Sequence, residues 1–300
     1  MTVSATTAPT ASHPEGAIKE QAPKPANLEE IKEILGDGPY RFAPVGERSF
    51  SVQLASLTTE ERACYDELKT RWEKKDRGHV FPDDMYLRFA RCSPGSKKFN
   101  SKAAWKVMKN FDPRYLELTA ASLEKQLLTK TLFIPPGLKS SEGHSVFYMR
   151  PSRYFPKETT TQEIIDNLVY AMQVMVEGEK SCTEGIGFLA NMAEWDFSNF
   201  SVNYCYQFMM MLQGRVPVRV RLFLIVNPPS WFGKIWKIMR PMLSDDFAKK
   251  VHMIKSDELA THMADDFKTY LPDDMEEGKA PTQAMVSDFI AYRKHVEMSK

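Results

Sequence analysis

The sequence lacks an excess of charge of either sign, because 40 lysines and arginines are balanced by 39 aspartates and glutamates. A net charge of +1 argues against a dedicated nucleic-acid-binding protein, which usually carries a strongly basic surface. Long apolar runs are also missing. Runs such as residues 208–212 and 222–226 are far shorter than the roughly 18 residues that a membrane-spanning helix needs. We therefore expect neither a nucleic-acid partner nor a membrane span.

Cysteine is scarce and widely spaced. The four cysteines, Cys64, Cys92, Cys182 and Cys205, form no CxxC pair and have no histidine at metal-ligand spacing, which predicts reduced thiols in a cytosolic protein. The first 27 residues lack an apolar segment, and the first arginine is Arg41. We therefore expect neither a secretory signal nor a mitochondrial transit peptide. Residues 1–50 are predicted to be a disordered tail with a short helix.

The signatures of common catalytic sites are missing as well. The sequence contains no Walker A, GxSxG or HExxH motif, and its histidines pair with no nucleophile along the chain. A triad assembled in space would leave no such trace, although nothing in the residues favours one. Gly185, Gly187 and Ala190 match GxGxxA, but they lie within a predicted strand, so we interpret them as a site of close approach. We expect no enzyme activity, no metal and no cofactor.

The remaining signals predict three ordered regions. Residues 51–130 are predicted to form a helical domain, with a capping box at Thr58 and Glu61, a second helix after Pro82 and a fourth after Pro113. In residues 131–275, β-like runs alternate with helices, which predicts an α/β fold with a mostly parallel sheet. One of these helices is expected to begin after Ser198, and another to end at Gly178. Residues 276–300 are predicted to form a C-terminal helix.

Residues 231–240, called here the gate segment, have the pattern of an amphipathic helix. Five apolar residues follow helical spacing and share one face: Trp231, Phe232, Ile235, Trp236 and Met239. Lysines and an arginine lie off that face, as in helices that rest at a membrane interface. The alternative is an ordinary core helix packed on the sheet. The two tryptophans favour the membrane interpretation, because tryptophan prefers the level of the lipid headgroups.

A second candidate site is basic. Five cations are expected to lie near one end of a predicted strand: Arg215, Arg219, Arg221, Lys249 and Lys250. Strand alternation places Arg219 and Arg221 on one side. The functional interpretation is a site for phosphate or a phosphoinositide headgroup, and the alternative is a solvated strand end.

Several longer segments of the sequence resemble the CRAL-TRIO lipid-transfer family. These segments are VPVRVRLFLIVNPPSWF at 216–232, RPML at 240–243, KVHM at 250–253, GIGFLANMAEWDF at 185–197, SVFYMRPSRY at 145–154, LRFAR at 87–91 and AWKVMKN at 104–110. The resemblance spans about residues 55–270. It implies a helical N-terminal domain followed by a CRAL-TRIO domain, in which a mostly parallel sheet floors an apolar pocket closed by a gate helix.

The resemblance also implies a function, namely a cytoplasmic carrier that holds a small hydrophobic lipid and exchanges it at membranes, where it is transiently peripheral. The cargo is left open among retinoids, tocopherols, carotenoids, sterols, squalene-like lipids and phospholipids. At the positions of Val218 and Phe247, members of the family that transfer phosphatidylinositol carry other types of residue. This difference argues against phosphatidylinositol as the cargo. Arg219 and Lys250 match the positions by which members similar to the tocopherol carrier hold a membrane phosphoinositide, whereas Asp246 stands where another base is expected.

A carrier of this kind needs a dry interior. About 16 buried methylene groups hold a lipid tail in a bilayer by about 13 kcal/mol, so a carrier must offer a matching apolar space, typically about 300–1,000 Å³. Family position and strand alternation predict its walls: Phe147, Met149, Phe188, Met209, Leu212, Phe223, Ile225 and Phe232. We expect a monomer. The alternative function is a lipid-sensing scaffold that uses the same fold without bulk transfer.

Overall fold

The computed structural model describes residues 50–75, 79–91 and 101–298. The predicted tail, up to residue 49, and Cys92 lie outside these ranges. The helices of the first region are α1 (Phe50–Ala55), α2 (Thr59–Glu73), α3 (Asp83–Arg91) and α4 (Ser101–Asn110). The capping box forms as predicted, because Glu61 donates its amide to Thr58 Oγ1 at 3.2 Å and accepts from the Thr58 amide at 3.0 Å. These two bonds satisfy donors that the first turn of a helix leaves free.

The predicted single helix after Pro113 is wrong. The chain forms a 3-10 helix, Pro113–Glu117, and then a separate helix α5, Ala120–Leu128. The break arises at Thr119, whose extended backbone and reciprocal hydrogen bonds with Ser122 (3.0 and 3.1 Å) begin a new helix. Helix α5 packs against two later helices, α6 (Thr161–Met175) and α12 (Thr282–Met298).

The expected sheet is present and mostly parallel. Its strands, in spatial order, are β1 (Leu132–Phe133), β2 (Val146–Met149), β3 (Ile186–Asn191), β4 (Val220–Val226) and β5 (Val251–Ile254). The pairs β2–β3, β3–β4 and β4–β5 are parallel. The two-residue strand β1 pairs antiparallel with β2 and is too short for a sequence pattern to reveal. The mixed α/β fold, with a helical N-terminal part, is therefore confirmed.

The connections between strands contain helices, as parallel pairing requires. They are α6, α7 (Glu179–Glu184), α8 (Val202–Leu212), α9 (Phe232–Met239) and α10 (Asp245–Ala248); α11 (Phe267–Tyr270) and α12 follow β5. The predicted cap at Ser198 is wrong, because Asp196 caps a 3-10 turn there and Ser201 caps α8 instead, accepting the Tyr204 amide at 3.2 Å. Helix α6, predicted to end at Gly178, ends three residues earlier at Met175, and Gly178 is the N-cap of α7.

The centre of the sheet is filled by aromatic side chains. Phe147, Phe188 and Phe223 are register partners on three adjacent strands, with neighbouring ring centroids 5.3 and 5.5 Å apart. Phe208 of α8 packs edge-on against Phe188 and Phe223. Burial of rings at this density stabilises the layer between the sheet and α8.

A buried ionic network attaches α12 to the rest of the fold. The Arg293 guanidinium, only 4% exposed, donates to both carboxylate oxygens of Glu177 at 2.6 and 3.0 Å, and also to the Tyr170 hydroxyl and to Glu297. Glu297 in turn accepts the amide of Ala120 at the start of α5, at 2.7 Å. Burial by itself would lower the pKa of Arg293, but the Glu177 carboxylate outweighs it and raises that pKa.

Gly185, the first glycine of the GxGxxA sequence, lies just before β3, where Arg219 and Arg221 approach its backbone closely. Gly185 has φ = +106°, and a Cβ atom there would lie 2.5 Å from the Arg219 carbonyl oxygen and 2.9 Å from Cγ of Arg221. Arg221 lies across this position and donates its Nε–H to the Glu184 carbonyl. Both the backbone conformation and the close approach therefore require glycine.

Replacing Gly185 by alanine should destabilise the protein. We expect Gly185→Ala to lower the free energy of unfolding by about 2 kcal/mol or more, because it adds a backbone clash to an unfavourable φ. Gly233→Ala is the matched control, since nothing lies within 4 Å of a Cβ there, and helix propensity should leave stability unchanged or raise it by up to about 1 kcal/mol. Urea unfolding measures both variants. Equal stability of the two would contradict the expected strain.

Candidate functional site

A small apolar cavity lies between the sheet, α8 and the gate segment. Its volume is about 70 Å³. The sheet contributes Met149, Ala190, Phe223 and Ile225, α8 contributes Tyr204, Cys205, Phe208 and Met209, α9 contributes Phe232 and Met239, and the turns contribute Pro151, Tyr154, Met192, Trp195, Asn199 and Ser201. The wall is almost entirely apolar, as a lipid-binding space requires.

The structure brings together five of the eight predicted pocket residues: Met149, Met209, Phe223, Ile225 and Phe232. Phe147 and Phe188 do not line the cavity. They lie on the same face of the sheet as Met149 and Ala190, but two residues nearer the amino ends of their strands. There their rings pack against each other in the aromatic centre of the sheet. Leu212 lines a different cleft, described below.

The cavity is much smaller than the sequence led us to expect. Its volume of about 70 Å³ falls well short of the roughly 300–1,000 Å³ of typical ligand pockets. The bulky side chains of the wall account for the difference. Atoms that line an apolar void lose dispersion contacts on one side. Phenylalanine and methionine side chains therefore pack into the space and reduce its volume.

Sequence analysis missed the polar members of the wall. Trp195 and Asn199 lie in the turn after β3, which has neither strand nor helix periodicity. Tyr204 and Cys205 precede Phe208 and Met209 by one turn of α8, so helical spacing from Met209 is the signal that could have found them. Asn199 is satisfied, because its amide donates to the Ser152 and Tyr154 carbonyls at 3.1 and 2.9 Å. Burial raises the pKa of the Cys205 thiol to about 12, so this cysteine is neutral at physiological pH.

The gate segment covers the cavity with its apolar face. Phe232 and Met239 are buried against the cavity, while Trp231, Ile235 and Trp236 are half-buried. The Trp231 ring packs on Trp195 with centroids 4.7 Å apart. The outer face combines exposed lysines with Ile238, which is 61% exposed. All five predicted gate residues therefore lie on or beside the buried face, and the cations face outward.

A larger cleft, of about 630 Å³, lies at the amino ends of β4 and β5 beside α4. We call it the basic cleft. Its charged lining comprises Lys106, Arg219, Arg221, Lys249, Lys250 and Asp246. Four of the five predicted cations thus meet there, whereas Arg215 does not line the cleft. Lys106 was missed, because it belongs to α4, over 100 residues away in sequence.

The basic cleft holds cations without matching anions. Among the described residues, none of its five cations forms an ion pair, although Asp246 lies nearby. Arg219 is partly committed to structure, since it donates to the carbonyls of Thr183 (3.1 Å) and Arg91 (2.5 Å). Burial, followed by the charge of Arg221, lowers the pKa of Lys250, as expected where like charges converge. This concentration of positive charge favours an anionic ligand.

Within residues 50–75, 79–91 and 101–298, no group of three or more histidine, cysteine, aspartate or glutamate side chains could hold a metal ion. In the same ranges, no helix has both the length and the apolarity needed to span a bilayer.

Comparison with known proteins agrees with this architecture. The CRAL/TRIO domain model matches residues 130–275. The chain is 24% identical over 189 residues to alpha-tocopherol transfer protein-like of Mus musculus, an alignment that covers 60% of this chain and 54% of that protein. It is 21% identical over 126 residues to tyrosine-protein phosphatase non-receptor type 9 of Homo sapiens, which covers 42% of this chain and 21% of the phosphatase.

The chain thus spans about a fifth of the phosphatase and about half of the tocopherol-transfer-like protein. Among solved structures, the crystal structure of Sfh5 aligns with a TM-score of 0.49 at 12% identity, covering 80% of this chain and 98% of Sfh5. The matched domain contains all five strands, the gate segment and the polar turn after β3. Residues 130–275 are therefore identified as a CRAL/TRIO domain, and over these residues the resemblance read from the sequence is confirmed.

Proposed function

We propose that this protein binds a small hydrophobic lipid in the apolar cavity and exchanges it at membranes whose anionic lipids, such as phosphoinositides, occupy the basic cleft. The observation that carries the proposal is an apolar cavity closed by an amphipathic helix whose outer face is cationic. The name of the tocopherol-transfer-like relative supports a tocopherol-like cargo, and the family resemblance of the sequence adds retinoids and carotenoids.

In this proposal the small cavity represents the lipid site with the gate segment closed. Displacement of the gate segment would remove Phe232 and Met239 from the wall and open the space above Phe223 and Ile225. In water this movement exposes apolar side chains and is unfavourable, whereas at a bilayer the same side chains find an apolar partner. Opening would therefore be confined to the membrane.

The basic cleft lies where it could couple membrane binding to this movement. Its lining includes Leu212 and Gln213 at the end of α8, and Ser244 and Phe247 just beyond the gate segment. The Gln213 side chain bonds to the Met242 carbonyl (3.1 Å) and to the Ser244 amide (2.8 Å), so the cleft and the end of the gate segment are mechanically connected. An anionic headgroup bound here would hold the gate segment against the bilayer surface.

Lipid identification and a transfer assay test the proposal. The full chain should co-purify with about one lipid molecule per protein, detected by mass spectrometry, and should move that lipid between vesicles. Replacing both gate indoles (Trp231→Ser with Trp236→Ser) should slow transfer about tenfold or more, because tryptophan anchors the segment at the interface.

The control for this variant is Tyr206→Ser. It removes an exposed aromatic side chain from α8, outside the gate segment. We expect its transfer rate to equal that of the unmodified protein. Transfer that survives the loss of both indoles would remove the gate from the mechanism.

A second candidate is a lipid-sensing scaffold. The small closed cavity favours it, as does the likeness to a segment of a much longer phosphatase. An empty protein that transfers no lipid but retains a protein partner would support this candidate over the carrier.

Several further properties belong to the same proposal. The protein would act without catalysis and without a cofactor, as a monomer in the cytoplasm that associates with membranes only transiently. Residues 51–130 would form its helical domain, residues 131–275 its lipid-binding domain and residues 276–300 a C-terminal helix.

A further inference from the structure

Trp195 carries a hydrogen-bond donor without an acceptor. Its side chain is only 7% exposed, and its Nε1 atom is buried with no hydrogen-bond partner in the described part of the chain. A buried donor without an acceptor costs free energy, and a phenylalanine would pack in the same wall without that cost. The presence of an indole in the wall of the cavity therefore calls for an acceptor that binds there.

The backbone holds this indole in a fixed position. The preceding residue, Glu194, adopts φ = +61°, and its carboxylate accepts a hydrogen bond of 2.8 Å from Arg150, which is itself buried. The amide of Ala193 donates to Asn191 Oδ1, and the amide of Trp195 donates to the Met192 carbonyl. A left-handed conformation at a residue other than glycine persists only where its surroundings enforce it, as at many ligand contacts.

The Trp195 ring lies where the cavity meets the gate segment. It packs against Trp231 at 4.7 Å and against Phe232 at 5.9 Å between ring centroids, and both partners begin the gate segment. Movement of the gate segment would therefore remove the side chains that cover the indole. The donor would become available at the moment when a cargo molecule enters.

A second polar group lies in the same wall. Burial raises the pKa of Tyr204, which keeps its hydroxyl protonated and able to donate. Tyr204 lines the same cavity as Trp195. The wall thus offers two donors in otherwise apolar surroundings.

We infer, resting on the proposed lipid-binding function, that the cargo is a lipid bearing an oxygen acceptor, which accepts a hydrogen bond from Trp195 Nε1. A hydroxyl, carbonyl or ester oxygen satisfies this requirement. A pure hydrocarbon such as a carotene or squalene does not, because it would leave the indole unpartnered.

The test uses the full chain and phosphatidylcholine vesicles that contain phytol, phytane, cholesterol and 5α-cholestane in equal amounts. Phytol and cholesterol differ from phytane and cholestane in carrying a hydroxyl group.

After incubation and removal of the vesicles, mass spectrometry gives the ratio of oxygen-bearing lipid, including phosphatidylcholine, to hydrocarbon in the protein fraction. We expect Trp195→Phe to lower this ratio about fivefold, the worth of one hydrogen bond. Trp105→Phe, the same change in α4 outside the cavity, should leave it unchanged.

Each result decides between the inference and the function on which it rests. Recovery of no lipid by the unmodified protein would overturn the carrier function and the inference together. Recovery of lipid with an unchanged ratio in Trp195→Phe would overturn the inference alone. If Trp195→Phe does not fold, the lipid uptake of the unmodified protein tests the inference. Equal uptake of the hydroxylated lipids and the hydrocarbons would refute it. Preferential uptake of the hydroxylated lipids would support it.

Discussion

Reversing two charges of the basic cleft should lower the affinity for phosphoinositide-containing vesicles at least ~30-fold at low salt. The variant combines Arg221→Glu with Lys250→Glu, two cations that line the cleft and form no ion pair among the described residues. Each cation near an anionic bilayer is worth about 1 kcal/mol, so losing two costs about 2 kcal/mol, and the new carboxylates add repulsion. Vesicle co-sedimentation measures the effect. Arg219 is left unchanged, because its guanidinium donates to two backbone carbonyls, whereas that of Arg221 donates to one.

Two further variants make this prediction specific to the cleft. Arg62→Glu with Lys294→Glu changes the net charge equally at residues outside the cleft, and it should alter affinity less than about threefold, since such charges are largely screened beyond roughly 10 Å at 0.1 M salt. Asp246→Asn removes the acidic group of the cleft and should raise affinity about fivefold. Equal losses in the two double variants would show that net charge, rather than the cleft, attracts the membrane.

Removing the buried guanidinium of α12 should lower the free energy of unfolding by about 3–5 kcal/mol. Arg293→Met keeps most of the side-chain length but leaves the Glu177 and Glu297 carboxylates, at 16% and 14% side-chain exposure, without their shared partner. Breaking a buried ion pair from one side leaves an uncompensated buried charge, which accounts for the size of the loss. Urea unfolding followed by circular dichroism measures it.

The neighbouring Lys294 supplies the control for this prediction. Its amine pairs with Glu124 at 2.7 Å, but the two side chains are 33% and 43% exposed. We expect Lys294→Met to cost less than about 1 kcal/mol, because solvent screens an exposed pair. A loss below about 1 kcal/mol for Arg293→Met would mean that α12 is not held by this network.

Local chemistry made much of the fold predictable. Thr58 and Thr160 each precede a glutamate at the spacing of a capping box, and both boxes form. The apolar runs of β3 and β4 are buried on both sides, so their strand identity follows from composition alone. The prediction that Ser198 caps a helix is wrong for a local reason. Asp196 caps the 3-10 turn Phe197–Asn199, which contains Ser198, and no α-helix begins there.

The candidate sites were only partly predictable. The gate segment could be predicted from helical spacing, because Phe232–Met239 form one helix and Trp231 and Arg240 are its caps. The basic cleft could not be completed in the same way, since Lys106 reaches it from α4 while Arg219 and Lys250 come from the sheet. Trp195 carried no periodic signal, as it lies in a turn whose direction is set by Glu194 and by contacts across the sheet.

The amino-acid sequence by itself determined the fold class, the amphipathic character of the gate segment and the cations around β4, because capping, periodicity and strand alternation act between residues a few positions apart. Only the tertiary structure decided how much room the interior has, which basic residues meet, and which polar groups of the wall lack partners. Those properties depend on side chains that approach from distant parts of the chain, and their distances are set by the packing of the whole core.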